Sequence, residues 1–191
     1  MYVCALNGSP NKDGNIAYLL KNILGKLEGV ETELLHVAEE IGKLERPFCT
    51  NCQTPCQKVC FKGTGVETIF EKMKRADVIL FGSPVYFGGP SAQMKALFDK
   101  SRAYRGEKAF IGKYGAAITC GASKYGGQEA TVRALQDSML VHGMYILGPG
   151  SHAVDAGHLG VCASRPAAED TFAESRCTSI AARILELAKS N

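Results

Sequence analysis

Four of the eight cysteines lie close together in the sequence and could bind one metal centre. They are separated by two, three and three residues, and they are Cys49, Cys52, Cys56 and Cys60. Iron-sulfur clusters take four cysteine thiolates as ligands, and this compact spacing suits a 4Fe-4S cube. A structural zinc site usually pairs two short cysteine motifs across a longer loop, and this segment has no such gap. The spacing therefore favours a 4Fe-4S cluster, with zinc and with unliganded or paired thiols as the alternatives.

A polar turn near the start of the chain could bind a phosphate group. Residues 7–15 read Asn-Gly-Ser-Pro-Asn-Lys-Asp-Gly-Asn, after an apolar run at 2–6 and before a helical pattern that extends from Ile16 to Leu27. A strand that leads through a turn into a helix presents backbone N–H groups and the positive end of the helix dipole to an anion. We therefore interpret the turn as the anchor of a phosphate-bearing cofactor. The alternative is an ordinary turn with Asn15 near the helix N-cap.

Three better-known motifs are missing from this sequence. A nucleoside-triphosphate loop needs Gly-Lys-Ser/Thr at the start of the helix, but Gly14 is followed by Asn15 and Ile16. A dinucleotide fold needs three glycines at set spacing and an acidic residue about twenty positions later. The Gly-x-Ser-x-Gly elbow of serine hydrolases is also missing. These patterns give no support to those three classes of site.

The elements that must position these groups alternate between strands and helices. Apolar runs predict five strands, at 2–6, 30–37, 78–81, 114–120 and 144–147. Because parallel strands need crossover connections, this alternation predicts a doubly wound α/β fold with strand order 2-1-3-4-5 and helices on both faces. We expect one domain over residues 1–191, with a cysteine-rich insertion at 38–63 after strand 2 and a C-terminal tail and helix at 149–191.

Three unusual loops follow strands 1, 3 and 4 of the predicted sheet. Besides the polar turn, they are the Gly/Pro-rich segment 82–90 and the Gly-rich segment 121–127. In doubly wound sheets, ligands bind beyond the carboxyl ends of the strands, at the point where the strand order reverses. We therefore expect all three loops to converge on one ligand.

Composition narrows the class of protein further. The chain has 191 residues, of which 46% are hydrophobic, and a formal charge of +3 from 22 basic and 19 acidic residues. A near balance of charge argues against nucleic acid or an anionic membrane as partner. No apolar run approaches the length of a membrane span, so we expect a cytoplasmic protein. In that compartment eight cysteines are not expected to form a disulfide framework.

These motifs together resemble the iron-sulfur flavoproteins, a group within the flavodoxin-like NAD(P)H-dependent FMN reductase superfamily. The matching stretches are 7–15, 82–88 with 93–99, and 121–129, and the resemblance spans about residues 2–148. By this resemblance, the FMN phosphate would be held by Ser9, Asn11, Gly14 and Asn15. The isoalloxazine ring would lie along Pro84, Val85, Tyr86, Phe87 and Gly88, with Thr119, Gly121, Tyr125, Gly126 and Gly127 closing its other side.

The sequence departs from the family at two points. The family usually has Ser or Thr directly after the asparagine of the phosphate turn, where its hydroxyl contacts phosphate, but this chain has Ile16. The missing hydroxyl predicts weaker binding of the phosphate. The resembling flavoproteins also usually have two residues, not three, before the third cysteine.

The resemblance implies an FMN-dependent oxidoreductase that passes electrons between FMN, a 4Fe-4S cluster and a small-molecule or ferredoxin-type redox partner, with NAD(P)H as a candidate donor. No side chain is expected to be catalytic, because the flavin carries the chemistry. The alternatives are an NAD(P)H-dependent FMN or quinone reductase without a cluster, and a non-catalytic electron carrier or redox sensor. We expect a homo-oligomer, a dimer or tetramer, in which the cysteine segment of one chain approaches the FMN of another.

Overall fold

A parallel sheet with helices on both faces forms the centre of the computed structural model, which describes residues 1–190. The strands are β1 (Tyr2–Asn7), β2 (Glu31–His36), β3 (Val78–Pro84), β4 (Tyr114–Gly121), β5 (Tyr145–Ile146) and β6 (Val161–Ser164). The helices are α1 (Asn15–Leu24), α2 (Val37–Gly42), α3 (Gly65–Arg75), α4 (Ala92–Lys100), α5 (Arg102–Gly106), α6 (Gln128–Val141) and α7 (Thr171–Ser190), with a 3₁₀ turn at Ala167–Glu169 before the last.

The sheet has the order β2-β1-β3-β4-β5, and all of its strand pairs are parallel. This confirms the predicted doubly wound, flavodoxin-like order. The order reverses between β1 and β3, where Leu6 lies beside Phe81. The carboxyl ends of these two strands therefore define the crevice in which such folds bind ligands.

The fifth position of the sheet is shared by two short strands. β5 pairs with Tyr114 and Gly115 at the start of β4, and β6 pairs with its end, from Ile118 to Gly121. The chain leaves the sheet between them. The sequence predicted one strand at 144–147 followed by a tail, and it missed the return at β6, whose four residues span only two strand periods.

The two faces of the sheet bury separate cores. Leu6 and Phe81 point to the face covered by α3, α4 and α6, whereas Ala5 and Leu80 point to the face covered by α1 and α7. This alternation follows from the two-residue period of strand side chains. Because both faces are covered, the central strands read as continuous apolar runs.

The region predicted as an insertion begins with a helix. In α2, Val37 and Ile41 are buried in the same core as α3 and α4. The cysteines follow α2, in the segment 43–64. Leu44 and Phe61 of that segment are also buried, and the ring of Phe61 lies 5.4 Å from that of Phe70. The cysteine segment is therefore anchored to the core near both of its ends.

No helix among residues 1–190 is both long enough and apolar enough to cross a membrane.

A buried histidine lies between α4 and the end of α6. His142 is only 8% exposed, and its Nε2 atom is 2.8 Å from Oγ of Ser101. The Ser101 hydroxyl donates to the carbonyl of Phe98, so its oxygen is left to accept a hydrogen bond from Nε2–H. Nδ1 is buried and has no hydrogen-bond partner in the described chain. Burial, and secondly the charge of Arg105, lower the pKa of His142 below its ordinary value of 6.5.

This histidine predicts a loss of stability in mild acid. As the pH falls, the unfolded chain takes up the proton first, near pH 6.5, so the free energy of unfolding should decrease from there until the lowered folded-state pKa is passed. Urea titrations at a series of pH values measure this slope. His142→Gln, which keeps a donor for Ser101, should reduce the slope. Part of it should remain, because burial also lowers the pKa of His36. An equal pH dependence of the free energy of unfolding in the wild type and in His142→Gln would contradict the prediction.

Candidate functional site

The loops after β1, β3 and β4 are tied to one another by short hydrogen bonds. The amide of Gly8 donates to the carbonyl of Gly82 at 2.8 Å, and the amide of Val85 donates to the carbonyl of Cys120 at 3.0 Å. The buried Ser91 hydroxyl also donates to the carbonyl of Gly8, at 2.6 Å. The three loops predicted to converge therefore do form one continuous edge at the carboxyl ends of the strands.

The polar turn after β1 has free donors at its helix end. α1 begins after Gly14 without a side-chain cap, so its first backbone N–H groups remain available to an anion. The Ser9 hydroxyl oxygen accepts from the amide of Asn11 at 3.1 Å, which leaves its own proton to donate. Asn7 braces the turn by accepting from the amide of Ser9 at 2.9 Å. This arrangement suits a phosphate that is bound but not cleaved.

Two residues at the start of α1 contact other parts of the chain. Asn15 is the first residue of the helix, directly after the N-cap Gly14, and its side-chain oxygen accepts from the amide of Ala167 at 2.8 Å. Its side-chain nitrogen and its backbone N–H remain for a ligand. Ile16 is buried, and its Cγ2 atom would lie 2.7 Å from a Cβ at Gly82. Ile16 therefore fills space above Gly82, and it offers the crevice its backbone N–H in place of the hydroxyl usual in the family.

The loop after β3 makes a tight turn with two exposed aromatic side chains. Tyr86 and Gly89 exchange backbone hydrogen bonds of 2.9 and 3.1 Å. Phe87 and Gly88 between them have φ values of 51° and 75°, as a type I′ turn requires. A bulky residue with positive φ is strained and often marks a functional loop. Tyr86 is half exposed and Phe87 fully exposed, so both can pack against a flat ring.

The loop after β4 touches this turn. A Cβ at Gly127 would lie 2.9 Å from the Cα of Gly88, and Gly127 has a φ of 96°, so only glycine fits where the two loops meet. Beside it, Tyr125 is fully exposed and also has positive φ, 57°. The residues predicted to line the isoalloxazine thus lie on two loops that meet: Pro84, Val85, Tyr86, Phe87 and Gly88 at the end of β3 and after it, and Gly121, Tyr125, Gly126 and Gly127 at the end of β4 and after it.

Gln128, which was not predicted, holds the loop after β4 in place. Its amide nitrogen donates to the carbonyls of Ser123 and Ala163, at 2.6 and 3.3 Å. These bonds join the loop to β6. Gln128 belongs to the Gly-Gly-Gln-Glu sequence at 126–129, within a stretch that carries the family resemblance. Its role was missed because its partner strand β6 was not predicted.

Thr119 does not line the crevice. Its side chain is fully buried, and its hydroxyl lies within 3.3 to 3.4 Å of the carbonyls of Val161 and Gln128. The Thr119 side chain instead joins β4 to β6 and α6. Strand residues point into a core on either face when both faces of the sheet are covered.

The four clustered cysteines line one cavity of about 340 Å³. Cys52 is exposed and the other three are partly exposed. The walls also carry four basic side chains, Arg46, Lys58, Lys100 and Arg102, and one carboxylate, Glu45. Within residues 1–190, no group of three His, Cys, Asp or Glu side chains is placed so that it could hold one metal ion.

Lys100, at the end of α4, was not predicted as part of this cavity. It is almost completely buried, and its ammonium group is 3.3 Å from the sulfur of Cys60. The sequence did carry a signal for it. Lys100 lies three residues after Leu97, on the apolar stripe of a helix, where a charge is unusual.

The other four cysteines are in different surroundings. Burial raises the pKa of Cys4 and of Cys177 to about 12, and that of Cys120 to about 11. Burial also raises the pKa of Cys162. Because the thiolate is both the metal ligand and the nucleophile, these four thiols are poor candidates for either role at neutral pH.

A second polar cavity, of about 710 Å³, lies between β5 and β6. It is lined in part by His152, Asp155 and His158, residue types that can bind a metal, although their spacing matches no helical metal face. Asp155, however, pairs with Arg176 of α7, and this contact lowers the pKa of the carboxyl group. Asp155 therefore holds the segment between β5 and β6 against α7.

Comparisons with known proteins agree with this architecture. Residues 1–159 match the family model described as NADPH-dependent FMN reductase. An iron-sulfur flavoprotein of Methanocaldococcus jannaschii is 38% identical over 165 residues, which cover 84% of this chain and 83% of that protein. An iron-sulfur flavoprotein of Methanosarcina thermophila is 34% identical over 198 residues, which cover 100% of this chain and 98% of that protein.

A solved structure is similar over nearly the whole chain. The flavodoxin, WrbA-like protein from Agrobacterium tumefaciens superposes with a TM-score of 0.70 at 18% identity, covering 99% of this chain and 97% of the other. At that identity the similarity concerns the fold alone. From the family match and the two relatives, the chain belongs to the NADPH-dependent FMN reductase family, among its iron-sulfur flavoproteins, and is an FMN-dependent oxidoreductase.

Proposed function

We propose that this protein binds FMN in the crevice and a 4Fe-4S cluster in the cysteine cavity, and transfers electrons between them and a small-molecule or ferredoxin-type partner in the cytoplasm. The observation that carries the proposal is the common cavity of Cys49, Cys52, Cys56 and Cys60. Two curated relatives named iron-sulfur flavoproteins support it. A reducing compartment keeps such thiols available for a cluster.

The crevice fits FMN in three respects. The uncapped start of α1 and the Ser9 hydroxyl offer donors to one phosphate. The exposed rings of Tyr86, Phe87 and Tyr125 offer apolar surface for the isoalloxazine. The loops carry no second phosphate motif that would favour FAD. When bound, FMN supplies redox chemistry, and the chain positions and tunes it.

The spacing of the cysteines favours a cluster over zinc, because no longer loop separates two cysteine pairs. A zinc ion needs all of its sulfur ligands at about 2.3 Å from one point. A 4Fe-4S cube takes its four thiolates on its outside, one at each iron, so the sulfurs lie around a body. All four cysteines line the same cavity, as a shared centre requires. Four thiolates would make the site anionic, and the walls carry four basic side chains beside one carboxylate, Glu45.

The two sites lie at opposite ends of α4. Ser91, at its start, is bonded to Gly8 of the crevice, and Lys100, at its end, is bonded to Cys60. Nine residues at 1.5 Å each separate these ends by about 14 Å. An oligomer with closed symmetry could bring the cavity of one chain closer to the crevice of another, which is why we propose a homo-oligomer as the working unit.

A second candidate is an NAD(P)H-dependent FMN or quinone reductase without a cluster. The description of the matching family, which names NADPH as donor, favours it. Anaerobic purification followed by an absorption spectrum and by iron, sulfide and zinc analysis separates the two functions. Iron and sulfide in equal amounts support the first, and FMN reduced by NADPH in a chain free of iron and sulfide supports the second.

Removal of the Ser9 hydroxyl should weaken FMN binding. A hydrogen bond to a charged group contributes about 1.5 to 3 kcal/mol, so Ser9→Ala should raise the dissociation constant roughly 10- to 150-fold. Fluorescence titration of the FMN-free chain measures it. Ser138→Ala is a matched control, because that hydroxyl bonds only the carbonyl of Ala134 in its own helix. Unchanged affinity in Ser9→Ala would place the phosphate elsewhere.

Loss of one cavity cysteine should remove the cluster and leave FMN in place. Cys52→Ala takes away one of four ligands at an exposed position, so the core should stay folded. Iron content and cluster absorbance should fall to background, while the FMN content stays at the wild-type level. Cys162→Ala, a half-buried thiol outside the cavity, should keep both cofactors. Full iron content in Cys52→Ala would exclude Cys52 as a ligand.

Electron transfer between chains should appear in mixed oligomers. Chains with Cys52→Ala lack the cluster, and chains with Ser9→Ala and Asn15→Ala bind FMN weakly, so neither parent should pass electrons from cluster to flavin efficiently. After subunit exchange, mixed oligomers should regain part of this transfer in stopped-flow absorbance. A monomer in sedimentation at working concentration would contradict the arrangement.

A further inference from the structure

A buried ammonium group faces the cysteine cavity without a carboxylate partner. Lys100 is 1% exposed. Its Nζ atom donates to the carbonyl of Arg46 at 2.7 Å and to the sulfur of Cys60 at 3.3 Å. Within residues 1–190 no carboxylate oxygen forms an ion pair with it, whereas Lys95 of the same helix pairs with Asp99 at 2.6 Å on the surface. The sulfur that this cation contacts belongs to Cys60, a residue of the cavity.

Burial of such a charge is costly unless an opposite charge or good hydrogen bonds compensate it. One carbonyl dipole offsets only part of the cost. An apolar residue would fill this place on the apolar stripe of α4 more cheaply, next to Leu97 and Ala96. The position of Lys100 thus indicates that the cavity itself supplies negative charge.

We propose that Lys100 is the fixed counter-charge of the cluster, and that it raises the cluster's reduction potential through a hydrogen bond to the Cys60 sulfur. This inference rests on the proposed function. Net charge and hydrogen bonds to the sulfurs are among the factors that set cluster potentials. A cluster held by four thiolates becomes more negative when it gains an electron, so a nearby cation stabilises the reduced form more than the oxidised form.

Lys100 also positions the cysteine segment. Arg46 precedes the first of the four cysteines and Cys60 is the last, so the two bonds of Nζ join both ends of the segment to the end of α4. Lys100 is thus a positioning residue that acts on the cluster through Cys60. Because α4 is helical up to this residue, the ammonium group has a defined place relative to the cavity.

The test compares Lys100→Met, which removes the charge at similar volume, with Lys100→Arg, which keeps it, and with the exposed control Lys95→Met. Each protein is purified without oxygen and analysed for iron, sulfide and FMN, and its cluster potential is measured by a redox titration monitored by electron paramagnetic resonance. We expect the cluster of Lys100→Met to have a lower potential, or a clearly lower iron content. Lys100→Arg and Lys95→Met should stay close to the wild type, and FMN content should be unchanged in all of them.

Two results would overturn the inference. The first is a Lys100→Met protein with full iron and sulfide content and the wild-type potential, which would leave Lys100 a purely structural residue. The second is an equal loss of cluster from Lys100→Met and Lys100→Arg, because charge would then not be what matters. A wild-type protein that takes up no iron and sulfide at all would instead refute the proposed function, and the inference with it.

Discussion

Helix α4 is fixed at both ends, and this constraint links the two candidate sites. At its start, Ser91 accepts from the amide of Met94 and donates to the carbonyl of Gly8, with no exposure to solvent. At its end, Lys100 is bonded to the cysteine segment. A helix with hydrogen bonds satisfied at its cap and an apolar face in the core cannot shift without breaking these contacts. The crevice and the cavity are therefore held in one fixed relation within a chain.

Close packing behind the crevice determines which residues its loops can use. A Cβ at Gly8 would lie 2.8 Å from the side chain of Met94, so the turn after β1 can approach α4 only through glycine. Ile16 fills the space above Gly82 in the same way. These contacts fix the backbone of the turn against β3 and α4. The residue next to Asn15 is thus determined by packing against β3.

Sequence patterns predicted the parts of the fold that repeat over many residues. The strand order and the convergence of three loops followed from long apolar runs and from their alternation with helices. Short elements escaped prediction: β6 has four residues, only two strand periods, and α5 has five, fewer than two helical turns. Thr119 is a related case. Its orientation depends on β6, because the carbonyl of Val161 accepts its hydroxyl only once that strand has returned to the sheet.

The cavity could be predicted only as a set of ligands, because its electrostatics come from a distant part of the chain. Lys100 is forty residues after Cys60, and nothing in the cysteine spacing points to it. The eight cysteines also fall into two groups with different surroundings. Three are buried in apolar cores and Cys162 is partly buried, and burial raises the pKa of all four of these thiols, whereas the other four are exposed or partly exposed and line a cavity that also carries basic side chains. A chain that only needed small hydrophobic residues at those four positions would have no use for a buried ammonium group beside them. The combination of accessible thiols with a buried cation supports the negatively charged centre proposed for this cavity.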